Sequence, residues 1–572
     1  MKTVIFCECK RRTSPIGSMS GRYDTFLDAH FDRVFEYNVI PSIRTYKKED
    51  AVHVYALDAE ASKRLEEYHV KHELVSSPDP DFQKKVKRDV ITFCRSIVPL
   101  NKTLMSTLYF LTLNFWELDE AVIMEALLPI MGTVRLLSSV IERENPERIV
   151  VFDAFSEKGI MVKEIAKKRE ISCDNHTTFF SESAHHLQRI LYRLKKKEKH
   201  EFHDEMALPI KEITPFFSSS KRRIIFIVAT EKWNTVIPSI MSSLDMDYVI
   251  IGRQKKLCKM YGEKSRDIGS YCAREVEKKI SHAKTYAPHY YELRDDQTFR
   301  SSFTVHGIEA WKSTAHILRK LFTSTPELVL SYYYLFEKVI LTEHPDLIVL
   351  FGDRTKFGKT IIQVANQYHV STLIIQPSWM FDRMIDGPTH ATKMAVYGKQ
   401  TVEYLVSKGG RKETYEITGN PLVDGWIKKK RDSRTVRKEF NVPPGKKIIL
   451  IEDHDEERVR DMFTAFHRYQ DYHTLNTTND EQKNIALISA SSLVITQRYI
   501  GESLILKKNV FTFEQENEWL KNAGVIFLSS PKDIHKAMKK IKTLKRTINE
   551  ISYGNDGRSG KRIAKLIEKM IT

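Results

Sequence analysis

Two stretches of this chain carry the same pattern, and that pattern limits what the chain can fold into. Asn145-Pro146-Glu147-Arg148-Ile149-Val150-Val151-Phe152 aligns without a gap on His344-Pro345-Asp346-Leu347-Ile348-Val349-Leu350-Phe351, an offset of 345 − 146 = 199. The register continues through Gly159 and Gly358, Ala166 and Ala365, and Ile171 and Val370. A short apolar, β-branched run closed by a turn marks a strand buried on both faces, as in a parallel sheet. In the second copy Ile361, Ile362, Val364 and Ala365 follow at helical spacing, and Leu373-Ile374-Ile375 then gives the next strand. A repeated strand–helix–strand unit predicts tandem α/β domains.

The second copy runs on through Met394-Ala395-Val396-Tyr397-Gly398, a strand with Val402, Leu405 and Val406 on a helix behind it, and through a fourth apolar run, Tyr415-Glu416-Ile417-Thr418, that stops at Gly419-Asn420-Pro421. Ahead of each copy stand further strands, Thr3–Phe6, Ala51–Leu57 and His72–Val75 in one case, Arg223–Val228 and Asp247–Gly252 in the other. Long helices are expected from about 86 to 142, and mostly helix from about 257 to 341. Val442-Pro443-Pro444-Gly445 opens a third domain, with strands at Lys447–Ile451, Tyr472–Asn476, Leu493–Thr496, Val510–Phe513 and Val525–Leu528. A chain of 572 residues exceeds one core. The expected division is an α/β unit over 1–215, a second over 221–427 and a third over 440–572.

In open α/β sheets ligands lie beyond the carboxyl ends of the strands. In the second copy those ends carry Asp353 and Arg354, Gln376-Pro377 and Ser378, Gly398, and Gly419-Asn420-Pro421 with Asp424 beyond. The first copy has Ala154-Phe155 and Thr177-Thr178 where the second has Asp353-Arg354 and Gln376-Pro377, so the second is expected to be the active one. An Asp at a strand end also serves as a helix N-cap, and Asp353 admits both readings.

The order Pro345-Asp346, apolar strand, Gly352-Asp353-Arg354, then Gln376-Pro377, then Tyr397-Gly398 and finally Thr418-Gly419-Asn420-Pro421-x-x-Asp424 resembles GT-B glycosyltransferases. More narrowly it is similar to the group around UDP-N-acetylglucosamine 2-epimerases, CDP-glycerol glycerophosphotransferases and surface-polysaccharide transferases. The resemblance implies tandem Rossmann-like domains of GT-B type, here with a duplicated N-terminal α/β unit. It implies a nucleotide-activated donor as substrate, a glycan or lipid-linked acceptor, and no separate cofactor.

In the last domain Gly501-Glu502-Ser503 follows a strand, with Arg498 just ahead of it. In the family the matching turn faces the donor diphosphate and its Glu accepts from the ribose hydroxyls. The resemblance therefore assigns donor binding to Arg498, Gly501, Glu502 and Ser503, with Gly419 and Asn420. Asp353 is the candidate general base, and Arg354, Gln376 and Ser378 the candidate acceptor contacts. The sequence departs from the family where Gln497-Arg498-Tyr499 replaces an Asp-Tyr-Ser type run, and where no His-Pro pair stands on the Tyr472–Asn476 strand. Glu502 also has a plain structural reading, as an acidic residue near a helix start. The resemblance implies no metal, since helix dipoles and basic side chains would carry the leaving diphosphate.

Six cysteines without C-x-x-C spacing indicate neither a zinc site nor a disulfide framework, and point to a reducing, cytoplasmic setting. His185, His186, His200 and His203 lie in a charge-dense stretch and read as a solvated helix face. No secretory leader is expected from the opening residues. The most apolar stretch, Leu104–Trp116, is about half a membrane span. The net charge of +17 asks for an anionic partner: phosphorylated substrate, an anionic membrane face, or nucleic acid. Nucleic acid is the weakest of these, since no ribonucleoprotein motif, zinc finger or basic-region helix is present. If the inner face of a cell membrane is the partner, attachment is peripheral. Anionic vesicles should then pull the protein down at low salt and release it as ionic strength rises, because exposed charges are screened beyond about 8 Å at physiological salt. Retention in molar salt, measured by vesicle sedimentation, would instead mean hydrophobic insertion.

Overall fold

The structure, a computed structural model, describes residues 1–8, 35–49, 51–75, 80–100, 109–110, 113–152, 157–176, 215–216, 221–230, 233, 236–252, 261–272, 276, 278–279, 291, 294–305, 307–309, 311, 314–315, 319, 321–322, 325–378, 388–428, 433–453, 455–513, 518–541, 552–553 and 556–572. The pairs Ala154-Phe155 and Thr177-Thr178, the four histidines of 185–203 and most of Leu104–Trp116 lie outside the described residues. Two compact units emerge, Met1–Ala207 with Ile280–Leu330, and Leu208–Lys279 with Ser331–Thr572. Residues 280–330, expected in the second domain, therefore cluster with the first.

The first unit is built on a five-stranded parallel sheet. From edge to edge the strands are Glu73–Leu74, Ala51–Ala56, Lys2–Cys7, Arg148–Phe152 and Ser172–Asn175. The middle strands are buried because both faces are covered. Leu65 of the helix Ala59–Glu67 and Ile43 of the helix Ile40–Glu49 pack with Ile5, Val54 and Val150 in one core. The long helix Phe115–Glu144 starts from Asn114, whose side chain caps it by accepting from the N–H groups of Trp116 and Glu117. Its segment Ile123–Glu144 is long and apolar enough to cross a membrane by length and composition, with 44% of the most apolar window buried.

The second unit holds two parallel sheets. Seven strands make one, in the order Ser265–Asp267, Asp247–Gly252, Arg223–Val228, Leu347–Leu350, Ser371–Ile375, Lys393–Val396 and Tyr415–Ile417. Five make the other, in the order Tyr472–Asn476, Lys447–Ile451, Leu493–Ile495, Asn509–Thr512 and Val525–Phe527. Two Rossmann-like sheets in tandem are the GT-B plan. Ser265–Asp267 falls where mostly helix was expected; three polar residues at a sheet edge give periodicity nothing to detect.

Ile149 and Ile348 occupy the same place in their sheets. Ile149 pairs with Val4 on one side and Cys173 on the other; Ile348 pairs with Ile225 and Thr372. The offsets agree across the strand pair, 348 − 149 and 372 − 173 both giving 199. Asn145 and His344, which end the preceding helices, both take the left-handed conformation, φ 42° and 46°. Just before each of them is a carboxylate shielded from water. Glu144 accepts from the Tyr55 hydroxyl and Glu343 from the Tyr271 hydroxyl, each at 2.7 Å. Lys2 ion-pairs with Glu144 at 3.2 Å, and Arg266 with Glu343 at 3.0 Å.

The helix Ser559–Ile571 ends the chain, yet its apolar face does not cover the nearby five-stranded sheet. Ile563, Ala564, Leu566, Ile567 and Ile571 pack with Ile224, Phe226, Leu347, Val349 and Ile375 of the seven-stranded one. The domain expected over 440–572 thus includes a helix that belongs to the preceding core.

Two expectations follow. Ile567 is 0% exposed in that core, so Ile567→Ala should cost about 2–5 kcal/mol and lower the melting midpoint of the second unit. Burial pushes the Glu144 carboxyl up, but the hydrogen bonds from Tyr55, Lys2 and Arg143 and the nearby His53 charge outweigh it, so the group titrates at about 2 instead of 4.5. A depressed carboxylate stabilises the fold above its unfolded value and loses that contribution as pH falls from about 4.5 towards 2. Melts of wild type and Glu144→Gln should therefore differ at neutral pH and converge across that window.

Candidate functional site

The carboxyl ends of the strands in the second unit gather the residues that sequence singled out. At the end of Leu347–Leu350 the chain turns through Gly352 and Asp353 into the helix Lys356–Gln367. That helix is capped by Thr355, whose hydroxyl accepts from the Gly358 N–H at 3.2 Å, so Asp353 is not its N-cap. Gly358 lets the helix come close: a Cβ there would stand 2.6 Å from the Gly352 carbonyl oxygen and 3.1 Å from the Asp353 Cα. Asp353 and Arg354 are both half-buried on this turn.

Gln376, at the end of the next strand, is fully buried. Its Nε2 donates to the Ser378 carbonyl at 2.8 Å, and its Oε1 accepts from the Tyr397 N–H at 2.7 Å. Both ends of the amide thus hold main chain, tying two neighbouring strand ends together. This is a positioning task in place of the acceptor contact expected from sequence. Ser378 is exposed. Tyr397, which Gln376 fixes, is 1% exposed. Burial first, and then the charge of Glu502, hold its phenol well above the usual tyrosine range.

The Thr418-Gly419-Asn420-Pro421-x-x-Asp424 run receives the last helix. The Arg562 guanidinium donates from Nε to the Thr418 carbonyl at 2.7 Å, and the Asp424 carboxylate accepts from the Gly560 N–H at 2.8 Å. Asn420, 4% exposed, caps the helix Pro421–Lys428 through its Oδ1, which accepts from the Leu422 N–H at 3.0 Å. Gly419 has φ +85°, and a Cβ on it would stand 2.6 Å from the Tyr553 carbonyl oxygen. Gly419 therefore lies against the C-terminal segment, while Asn420 is buried as the cap of its own helix.

In the five-stranded sheet the strand order reverses between Lys447–Ile451 and Leu493–Ile495, the place where open α/β sheets form a crevice. Glu452 stands there, 6% exposed. Its Oε2 accepts from the Thr496 hydroxyl at 2.7 Å and from the Gln497 and Arg498 N–H groups, each at 3.1 Å. This carboxylate shapes the turn that leads to the short helix Ile500–Ile505. Asn484, 3% exposed, braces the same region, donating from Nδ2 to the Thr478 carbonyl at 2.8 Å and to the Tyr499 hydroxyl at 3.3 Å. Arg498 is exposed, with its guanidinium 5.2 Å from the Tyr499 ring centroid. Glu502 is half-buried, while Gly501 and Ser503 are buried.

The structure thus brings together Glu502 and the rim that carries Tyr397, Gln376 and Gly419; Asp353 is on the same rim, two strands from Tyr397, or about 10 Å at ordinary strand spacing. Sequence reasoning missed Tyr397, Glu452 and Tyr553. For Glu452 there was a signal, an acidic residue directly after an apolar strand, and for Tyr397 its place in the Tyr397-Gly398 motif at a strand end; for Tyr553 there was none. Among the described residues no group of three or more His, Cys, Asp or Glu side chains is placed to hold a metal ion.

No protein-family model matches the chain, and no curated protein does. Solved structures do resemble it. The UDP-GlcNAc 2-epimerase from Methanocaldococcus jannaschii is 16% identical, with a TM-score of 0.41 over 61% of this chain and 99% of its own. The UDP-GlcNAc 2-epimerase from Neisseria meningitidis, bound to UDP-GlcNAc, is 12% identical with a TM-score of 0.39, over 61% of this chain and all of its own. A glycosyltransferase from Rickettsia africae is 10% identical with a TM-score of 0.35, over the same shares. At that identity and overlap the reaction has to be sought in this chain's own side chains.

Gly419→Ala should distinguish seating of the C-terminal segment from ligand contact. A left-handed backbone and a blocked Cβ should cost about 1–3 kcal/mol and make the Ser559–Ile571 helix easier to clip in limited proteolysis. An unchanged melt and digest would mean the turn does not hold that helix.

Proposed function

We propose that the second unit is a glycosyltransferase of the GT-B plan, moving a sugar from a nucleotide-activated donor to a cell-surface glycan or a lipid-linked acceptor. The observation that carries this reading is the approach of Glu502 to Tyr397. Each residue follows the carboxyl end of a strand, one in each sheet, and the Glu502 charge acts on the Tyr397 phenol; on this reading one ligand is received between the two sets of strand ends. Glu502 is the acceptor for the donor's ribose hydroxyls, and the exposed Arg498 guanidinium is the cation for its diphosphate. Asp353 is the general base. In an inverting transfer its carboxylate takes the proton of an acceptor hydroxyl as that oxygen bonds to the anomeric carbon. The bond from that carbon to the diphosphate oxygen breaks, and the electron pair leaves with the nucleotide. Arg354 and Ser378 remain the acceptor contacts on this rim, and the basic balance favours an anionic membrane as the place of work.

One observation favours a second reading, a binding module that has lost turnover. The Gln497 and Arg498 N–H groups, which a diphosphate would otherwise use, are already held by the Glu452 carboxylate. An epimerase-like reaction, which needs no acceptor, or a glycerophosphotransferase-like one, which moves glycerol phosphate, would use the same plan.

Incubation with a panel of nucleotide sugars, scored by release of free nucleotide, separates these. Glu502→Ala should lower donor affinity about tenfold to a hundredfold, since hydrogen bonds to a charged group contribute roughly 1.5–3 kcal/mol. Asp353→Asn should leave nucleotide binding intact and abolish turnover, with both variants melting like wild type. Wild type that binds nucleotide without turnover supports the binding module. Wild type that binds no nucleotide removes the transferase reading.

A further inference from the structure

Tyr553 is 50% exposed, yet it is held from several directions. Its N–H donates to the Tyr397 carbonyl at 2.8 Å, which fixes its main chain at the end of the Lys393–Val396 strand. Its own carbonyl lies against Gly419, where only a hydrogen fits. The Arg562 guanidinium covers its ring, 5.2 Å from the centroid. Arg562 is itself immobilised: Nε donates to the Thr418 carbonyl, and Nη1 reaches both Asp556 carboxylate oxygens at 3.1 Å. A solvent-facing aromatic on a connecting segment ordinarily keeps its rotamer freedom. This one has its main chain fixed at two points and its ring set against an immobilised guanidinium while half of it stays exposed.

An exposed aromatic face of fixed orientation is what a sugar ring uses. The axial C–H groups of a pyranose make an apolar patch that lies flat on a π face, while its hydroxyls stay in water. The ring also stands where such a ligand is wanted, joined through Tyr397 to the place that Glu502 approaches. It is on the seven-stranded sheet's side, whereas the nucleotide would be on the side of Arg498 and Glu502. We infer that the Tyr553 ring, backed by Arg562, is a stacking platform for a sugar ring of the acceptor. The inference rests on the transferase reading for the word acceptor, and on this chain's own geometry for the platform.

The test uses the full chain and two probes, UDP and a panel of soluble oligosaccharides of glucose, galactose, mannose and N-acetylglucosamine, with binding followed by titration calorimetry and by saturation-transfer NMR. At least one oligosaccharide should bind wild type. Tyr553→Ala should weaken it about tenfold, the size of one aromatic contact, while Tyr553→Phe and Tyr553→Trp keep it. UDP affinity should be the same in all four proteins. Saturation transfer should fall mainly on the C–H protons of one sugar face. Equal oligosaccharide affinity in wild type and Tyr553→Ala, or no oligosaccharide bound by wild type, would overturn the platform. If oligosaccharide binding depends on Tyr553 while UDP does not bind, the platform stands and the transferase reading fails. If UDP binds and Tyr553→Ala equals wild type, the platform fails, and turnover of a nucleotide sugar still decides between the transferase and the binding module.

Discussion

The second unit depends on one charge-assisted hydrogen bond, from the Gly560 N–H to the Asp424 carboxylate. It forms between buried partners, Asp424 at 4% exposure, and such bonds are shorter and stronger than neutral ones. Around it the Thr418 carbonyl takes Arg562, and five apolar side chains of the last helix complete the seven-stranded sheet's core. The positions of Gly419, Tyr397 and Tyr553 follow from that seating. The rim at which a ligand would be received is thus fixed by the last residues of the chain.

The site on the other sheet is organised by an equally economical device. One oxygen of Glu452 gathers a hydroxyl and two N–H groups. A buried carboxylate is costly unless its lone pairs are met, and here the turn meets them. The turn is thereby given one shape, and the short helix bearing Glu502 starts from it. On the facing rim Gln376 does the same with a neutral amide, accepting from one strand end and donating to the loop of another.

Much of this was legible in the sequence. The strands of the second copy announce themselves as apolar runs closed by glycine or proline, and most of those in the last domain as apolar runs, because parallel strands are buried on both faces. The strand-end positions of Asp353 and Gln376 followed from strand order, and Glu502 was singled out by the resemblance of its turn. What was not legible has a common cause: sequence gives the partner of a residue only when it is near in the chain. Gln376 looked like a ligand contact because its amide partner, Tyr397, is named by the fold. Gly419 looked like a donor contact because Tyr553 lies more than a hundred positions downstream. Ser265–Asp267 was invisible as a strand because an edge position places no apolar demand on it.

The last helix also sets the order in which the chain can become itself. The seven-stranded sheet begins at Arg223, and its core closes only when Ile563 to Ile571 arrive. Between them the whole five-stranded domain is synthesised, a loop whose closure entropy must be met before the contact rewards it. On a ribosome the five-stranded sheet can therefore finish first, while the older sheet waits with an apolar groove open along Leu347, Val349 and Ile375. A chain stopped short of Ser559 would keep every strand and every rim residue named here except the last few, and would still present that groove as a sticky surface. The growing chain stays exposed to aggregation until that helix is made.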